Sequence, residues 1–348
     1  MTSTERPDIT LEHPSELLAS IPSLLGFHPT DSLIAFGLRG SRATELTLIL
    51  RSDLPPPQRA RDLAHQLLPP LVQHGAVGIA LVVVGGRRAP DDDLPHRELL
   101  ARCEAVFVDT GIPVVHQLWV PDTTTGQRWH CYDETDCSGL LPDPGGTSLA
   151  AEAALSGLRI FERREDIVAT LTPDPDDVLA RRSAALDKYA DEAEPTRGSP
   201  DPVGERLALV RGAIRSATKS PPALTDEDVV RLTEALGDHR IRDLCLDFDE
   251  VPDMAAAERL WAALTKATPI PERAEAACLL AFTAYVRGDG VLAGIALDHA
   301  EAADPGHRLA GLLRGALSVG LAPSKLRIVG IRAATYARQA FDDTEEPS

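Results

Sequence analysis

The stretch GIALVVVGG, Gly78 to Gly86, is an unbroken run of small and apolar residues closed by two glycines. A half-exposed strand would alternate polar and apolar positions, so this run predicts a strand buried on both faces. Such a strand needs cover above and below, and both flanks supply it. Upstream, Ala60, Leu63, Ala64, Leu67 and Leu68 repeat at the spacing of one helical face, with Pro69-Pro70 expected to stop the helix. Downstream, Leu99, Leu100, Cys103, Val106 and Phe107 follow the same spacing.

Further out, Ser32–Leu38 and Glu45–Leu50 read as a hairpin around the turn Arg39–Arg42. Pro113–Val120 and Gln127–Tyr132 read as two more strands. Leu17, Leu18, Ile21, Leu24 and Leu25 form an amphipathic helix, with Pro14 in its first turn and a kink expected at Pro22. Strands interleaved with helices predict an α/β domain, a sheet covered by helices, over residues 1–172.

After Pro173 the strand pattern ends. Successive helical stripes follow: Leu207, Val210 and Ile214; Val229, Leu232 and Leu236 behind a Thr225/Asp228 cap; Ile241, Leu244, Cys245 and Phe248; Met254, Ala257, Leu260, Trp261 and Leu264. They predict an all-α helical domain over 173–330, with 191–204 a linker or flexible loop inside it. Residues 331–348 read as the end of a C-terminal helix and an acidic tail. Leu280, Ala281, Ala284, Ala293, Leu297 and Ala300, closed by Pro305, have the small–large spacing of a tetratricopeptide-like hairpin. Asp243, Asp247, Asp249 and Glu250 are interleaved with a helical stripe and read as its wet face, not as a metal cluster.

Charge narrows the partners. Residues 1–160 carry 12 basic and 20 acidic side chains and the remainder 23 and 33, so neither part has a cationic surplus to neutralise phosphates. Nucleic acid and anionic membrane are therefore not expected as partners. No run approaches the roughly 18 apolar residues of a spanning helix. The opening MTSTERPDIT lacks the layout of a signal peptide. The five cysteines have no framework spacing, and together these features predict free thiols in the cytoplasm. No cofactor or metal is expected.

The segment LLGFHPTDSL, Leu24 to Leu33, resembles the opening motif of an actinobacterial family catalogued as domain of unknown function 4192. The strand ending in Gly85-Gly86, the tract around Trp129 and Cys137, and the stretch LLAFTAYVRGDGVLAGIALDHAEAADPGHRLAGLL are similar too, so the likeness covers most of the chain. Relatives often place several cysteines after the tryptophan; this chain keeps Cys131 and Cys137 ahead of the turn Pro142–Gly146. The resemblance implies no activity.

Candidate ligand-binding residues gather in three segments. The first is Phe27, His28, Asp31 and Ser32, where a carboxylate and a hydroxyl could stand at a pocket rim. The same residues also suit a helix stop and turn, with Gly26 as left-handed cap and Phe27 packed inside. The second is Gly85, Gly86 and Arg87, with Arg88, whose amides and guanidinium groups suit a phosphate or carboxylate. The third is Trp129, His130 and Tyr132, with Cys131 and Cys137. On a strand the adjacent His130 and Cys131 point to opposite faces, which argues against zinc and leaves a conditional disulfide or ordinary packing as readings of the cysteines. No catalytic motif is present. The leading expectation is a non-catalytic regulatory or protein-interaction module: helices bind another protein, and the α/β domain binds a small ligand. The alternative is an enzyme of the hydrolase or transferase class acting on a small anionic substrate.

Overall fold

The computed structural model describes residues 13–40, 43, 45–87, 93–134, 136–155, 158–193, 202–247 and 253–345. The chain divides into two compact units at Asp166–Ile167.

The first unit opens with α1 (Pro14–Leu25), which runs on through Pro22 and stops at Gly26, φ 79°. Then come β1 (Ser32–Arg39), β2 (Glu45–Asp53), α2 (Ala60–Gln73), β3 (Gly78–Val84), α3 (Arg97–Asp109), β4 (Val114–Val120), β5 (Arg128–Cys131), β6 (Ser138–Leu140) and α4 (Ser148–Leu155). The six strands form one mixed sheet in the order β2-β1-β3-β4-β5-β6. β1 is antiparallel to both β2 and β3, β3 and β4 are parallel through the α3 crossover, and β4, β5 and β6 form an antiparallel meander.

All seven residues of β3 are buried, as the unbroken apolar run demands. On one face Leu33, Ala35, Ile79, Leu81, Val83 and Trp119 pack with Leu63, Ala64 and Leu67 of α2 and with Leu99, Leu100, Cys103 and Phe107 of α3. On the opposite face Ile34, Phe36, Ala80, Val82 and Val84 are equally buried. Each of the larger side chains contributes about 1.5–3 kcal/mol by leaving water. Pro69-Pro70 does not stop α2, which continues to Gln73. The carbonyls that the prolines orphan belong to His65 and Gln66, both on the exposed side of the helix, where the lost bonds cost least. The three-residue strand β6 carries no apolar periodicity and was not expected.

The second unit is helical: α5 (Arg164–Thr170) begins just before the division, followed by α6 (Asp176–Ala193), α7 (Pro202–Ser216), α8 (Asp226–Gly237), α9 (His239–Leu244), α10 (Met254–Ala267), α11 (Arg273–Arg287), α12 (Gly290–Ala303), α13 (Arg308–Ser318) and α14 (Pro323–Glu345). The expected linker 191–204 lies in part inside helices, α6 to Ala193 and α7 from Pro202, and residues 194–201 lie outside the described residues. Thr225 and Asp228 form the capping box at the start of α8. The central helix is α11, buried almost continuously from Arg273 to Tyr285. Ala276, Ala277, Ala281 and Ala284 let neighbours approach from every side, and α12 lies alongside after the turn at Gly288-Asp289.

Among the ionic contacts that brace this unit are two centred on Arg182 and Asp247. Arg182, its side chain 9% exposed, binds Asp174 at 2.6 Å, Asp226 at 2.8 Å and the Ala267 carbonyl at 2.8 Å. Asp247 is the second and overturns the wet-face reading. α9 ends at Leu244, so Asp247 leaves the helical stripe, and it is 3% exposed and held by Arg338 at 2.6 Å. Phe248, Asp249 and Glu250 lie outside the described residues. α14 adds Leu326, Ala334 and Ala337 to the core. Gly330 brings its backbone so close that a β-carbon there would stand 2.5 Å from the Phe282 ring and 2.7 Å from the Leu246 carbonyl.

Candidate functional site

The sheet register decides where the three candidate segments go. Ser32 pairs with Val84, Val84 with Val120, and Trp119 with His130. The start of β1, the ends of β3 and β4 and the strand β5 therefore share one end of the sheet, and the three segments meet there.

Their side chains are largely committed to the framework. The Phe27 ring is 2% exposed and carries the Arg51 guanidinium 5.9 Å above it. His28 shares a hydrogen bond with the Thr123 hydroxyl at 2.8 Å. Buried Ser32 donates to the Thr30 carbonyl at 2.7 Å and accepts from Arg51 at 2.9 Å. Asp31 is exposed, with φ 42°, and its carbonyl accepts the Leu54 N–H at 2.9 Å. Gly85, φ 109°, donates to Val120 at 3.0 Å and accepts the Trp119 indole at 2.8 Å. Gly86, φ 74°, lies against Pro95 and His96. Arg87 is exposed, and Arg88 lies outside the described residues.

On β5, Trp129 is 7% exposed, stacked over Gly139, and its indole N–H has no hydrogen-bond partner among the described residues. His130 is on the other face, stacked on Trp119 with ring centres 5.9 Å apart. Tyr132 donates to the Pro95 carbonyl at 2.5 Å, its own carbonyl accepts Arg97 at 3.2 Å, and burial pushes its phenol above the ordinary range. Among the described residues of the three segments, the exposed charged side chains are Asp31 and Arg87.

A second candidate site lies in the helical unit. A cavity of about 290 Å³ is lined by Leu186, Asp187 and Ala190 of α6, Thr233, Glu234 and Gly237 of α8, Pro271 and Glu272 before α11, Ala274 and Glu275 on it, and Asp304 and His307 before α13. A second cavity, about 470 Å³, shares Glu234 and Gly237 and extends the cleft to Arg206, Asp238, His239 and Arg240. The first lining holds five carboxylates against one imidazole.

Two of the lining residues, Glu275 and His307, pair with each other. His307 Nδ1 accepts the Ala310 N–H at 3.2 Å, capping α13, and lies 3.3 Å from Cys278 Sγ. With Nδ1 accepting, the ring proton sits on Nε2, which faces Glu275 at 3.2 Å. Arg242 reaches the same carboxylate at 3.2 Å. Burial opposes the Glu275 charge, but the His307 hydrogen bond and the Arg242 guanidinium outweigh it and hold the carboxyl below its usual range. The order Cys278, His307, Glu275 imitates a nucleophilic triad, yet Cys278 is 0% exposed and burial pushes its thiol far up. A sealed, protonated thiol is no nucleophile. Among the described residues no group of three or more His, Cys, Asp and Glu side chains could hold a metal ion.

Sequence reasoning missed this cleft because its lining comes from widely separated segments. One signal was available: Glu275 is a lone acid in the otherwise apolar core of RAEAACLLAFTAYV.

The fold defines a class, a six-stranded mixed α/β unit followed by a helical unit. Within that class the chain belongs to the family described as Domain of unknown function (DUF4192), whose model matches residues 14–324. No curated protein and no solved structure matches the chain. Among the described residues no helix is long and apolar enough to cross a membrane.

Proposed function

We propose that this protein is a non-catalytic interaction module whose helical unit receives a positively charged segment of another protein. The observation that carries this reading is the first cavity, whose lining holds five carboxylates against a single imidazole. Leu186, Ala190, Pro271 and Ala274 offer apolar surface beside the charges, which suits the stems of lysine or arginine side chains. The small residues between α11 and α12 support reading that pair as a tetratricopeptide-like hairpin, a unit that commonly binds peptides on a concave face. Five free thiols are in keeping with a cytoplasmic setting.

The test is fluorescence anisotropy with a labelled lysine- and arginine-rich peptide, titrated with the full chain at two salt concentrations. The expected result is salt-sensitive binding, weakened about tenfold or more by Asp187→Asn with Glu272→Gln. Binding that ignores both changes, or no binding, overturns the reading.

A second reading places a small anionic ligand, or an anionic substrate of an enzyme, at the sheet end. Exposed Arg87 beside the convergent segments favours it. A thermal-shift metabolite screen tests it: hits must vanish with Arg87→Ala, and hits that survive the change rule it out.

A further inference from the structure

We propose that Cys131 and Cys137 form a redox-modification site, joining in an intramolecular disulfide across the β5–β6 hairpin on exposure to a small disulfide oxidant. The register carries the inference. Arg128 pairs with Leu140, Trp129 with Gly139 and His130 with Ser138. The next step sets Cys131 opposite Cys137, and the Cys131 N–H donates to the Cys137 carbonyl at 2.9 Å. Directly opposed residues of an antiparallel pair share a face with α-carbons about 4.5–5.5 Å apart. That lies inside the roughly 4.4–6.8 Å that a disulfide spans.

The two thiols face each other closely enough to share a hydrogen bond, and no bond joins them in this structure. His130, next in sequence, is turned to the other face, where it stacks on Trp119. Cys131 is 8% exposed and Cys137 more accessible, which assigns the first encounter to Cys137. The remaining cysteines, Cys103, Cys245 and Cys278, are buried.

With glutathione disulfide as oxidant the chemistry balances. The Cys137 thiolate attacks one sulfur, the oxidant's S–S bond breaks, and one glutathione thiolate leaves. Cys131 then loses its proton to solvent and attacks the Cys137 sulfur, expelling the second glutathione. Two protein thiols are oxidised to one disulfide, and glutathione disulfide is reduced to two glutathione molecules. Burial, then the facing Cys131 thiol, raise the Cys137 thiol to about 11, so the thiolate is scarce near neutral pH and exchange is slow there. The bond would close a ring beginning next to Tyr132, whose hydroxyl and carbonyl hold Pro95 and Arg97 against the Gly86 loop. Oxidation would thereby stiffen the end of the sheet where the candidate segments meet.

The full-length protein, incubated with glutathione disulfide at mildly alkaline pH, is trapped with N-ethylmaleimide and digested with trypsin. Both cysteines fall on the peptide from Trp129 to Arg159, and cleavage after Glu134 separates them. The expected peptide is unlabelled and two hydrogen atoms lighter, and its halves stay joined until reduced. A Cys131→Ser variant should stop at glutathionylated Cys137. Two labelled thiols, a lasting glutathione adduct in the unmodified chain, a bond to another cysteine, or an untouched Cys137 in the variant would each overturn the proposal.

Discussion

Gly85 and Asp31 are packed so tightly that a β-carbon on Gly85 would stand 2.7 Å from Asp31 Oδ1 and 2.8 Å from the Asp31 backbone nitrogen. Both residues have positive φ, 109° and 42°, so neither segment relaxes without disturbing the other. Gly85→Ala is expected to destabilise the first unit by about 2–4 kcal/mol, combining left-handed strain with the clash. A denaturant melt measures it; a loss under about 1 kcal/mol would mean that the contact yields readily.

The two tryptophans at this end of the sheet make a matched pair. The Trp119 indole N–H donates to the Gly85 carbonyl at 2.8 Å, whereas that of Trp129 is buried without a partner among the described residues. Phenylalanine removes similar volume at either site, so the difference between the variants reports the hydrogen bond. Trp119→Phe is expected to cost about 1–3 kcal/mol more than Trp129→Phe, because only the former strands a buried carbonyl. Equal costs would refute the assignment.

Acid should act on the second unit through Asp226. The Arg181 hydrogen bond, followed by that of Arg182, holds its carboxyl near about 2, below the ordinary 3.8. A depressed carboxyl contributes stability that is full above its ordinary value and is lost as pH falls through the lowered one. Glu258 and Asp289, raised chiefly by burial, pull the opposite way on acidification. Asp226→Asn is expected to flatten the stability curve between about pH 4 and pH 2 by no more than roughly 1 kcal/mol, since solvent screens the partly exposed pair. Arg182→Ala should cost about 2–3 kcal/mol at neutral pH, because it also orphans the Ala267 carbonyl. Urea titrations across this range check both.

His307 ties three elements together, capping α13 and reaching Cys278 and Glu275. His307→Ala is expected to lower stability by about 2 kcal/mol, through the lost cap and the partners left behind. Cys278 should resist iodoacetamide in the folded protein and react fully once denatured. Rapid labelling of native Cys278 would reopen the possibility of a nucleophile there.

The elements legible in the sequence were those whose cause is local. Gly78–Val84 is a strand because its burial leaves no polar position, and Thr225 with Asp228 starts a helix through bonds spanning three residues. The α3 stripe, Leu99 through Phe107, is buried as its spacing requires. Pro69-Pro70 misled because a proline's cost depends on whether the freed carbonyls reach water, which is a tertiary fact. Asp247 misled likewise, since its partner Arg338 lies far along the chain. The candidate segments were legible as residues, but their meeting depends on sheet order. The acidic cleft depends wholly on helix packing.

The helix α14 carries a practical lesson about where the helical unit should not be cut. The family match stops at residue 324, just inside α14, whose Leu326, Ala334 and Ala337 are buried and whose Gly330 nests against Phe282. Expression clones trimmed to the family border would strip the lid from Leu244 and Phe282 and present a greasy trough to solvent. Such clones should aggregate, and a biochemist who blamed the protein for that would be blaming the scissors.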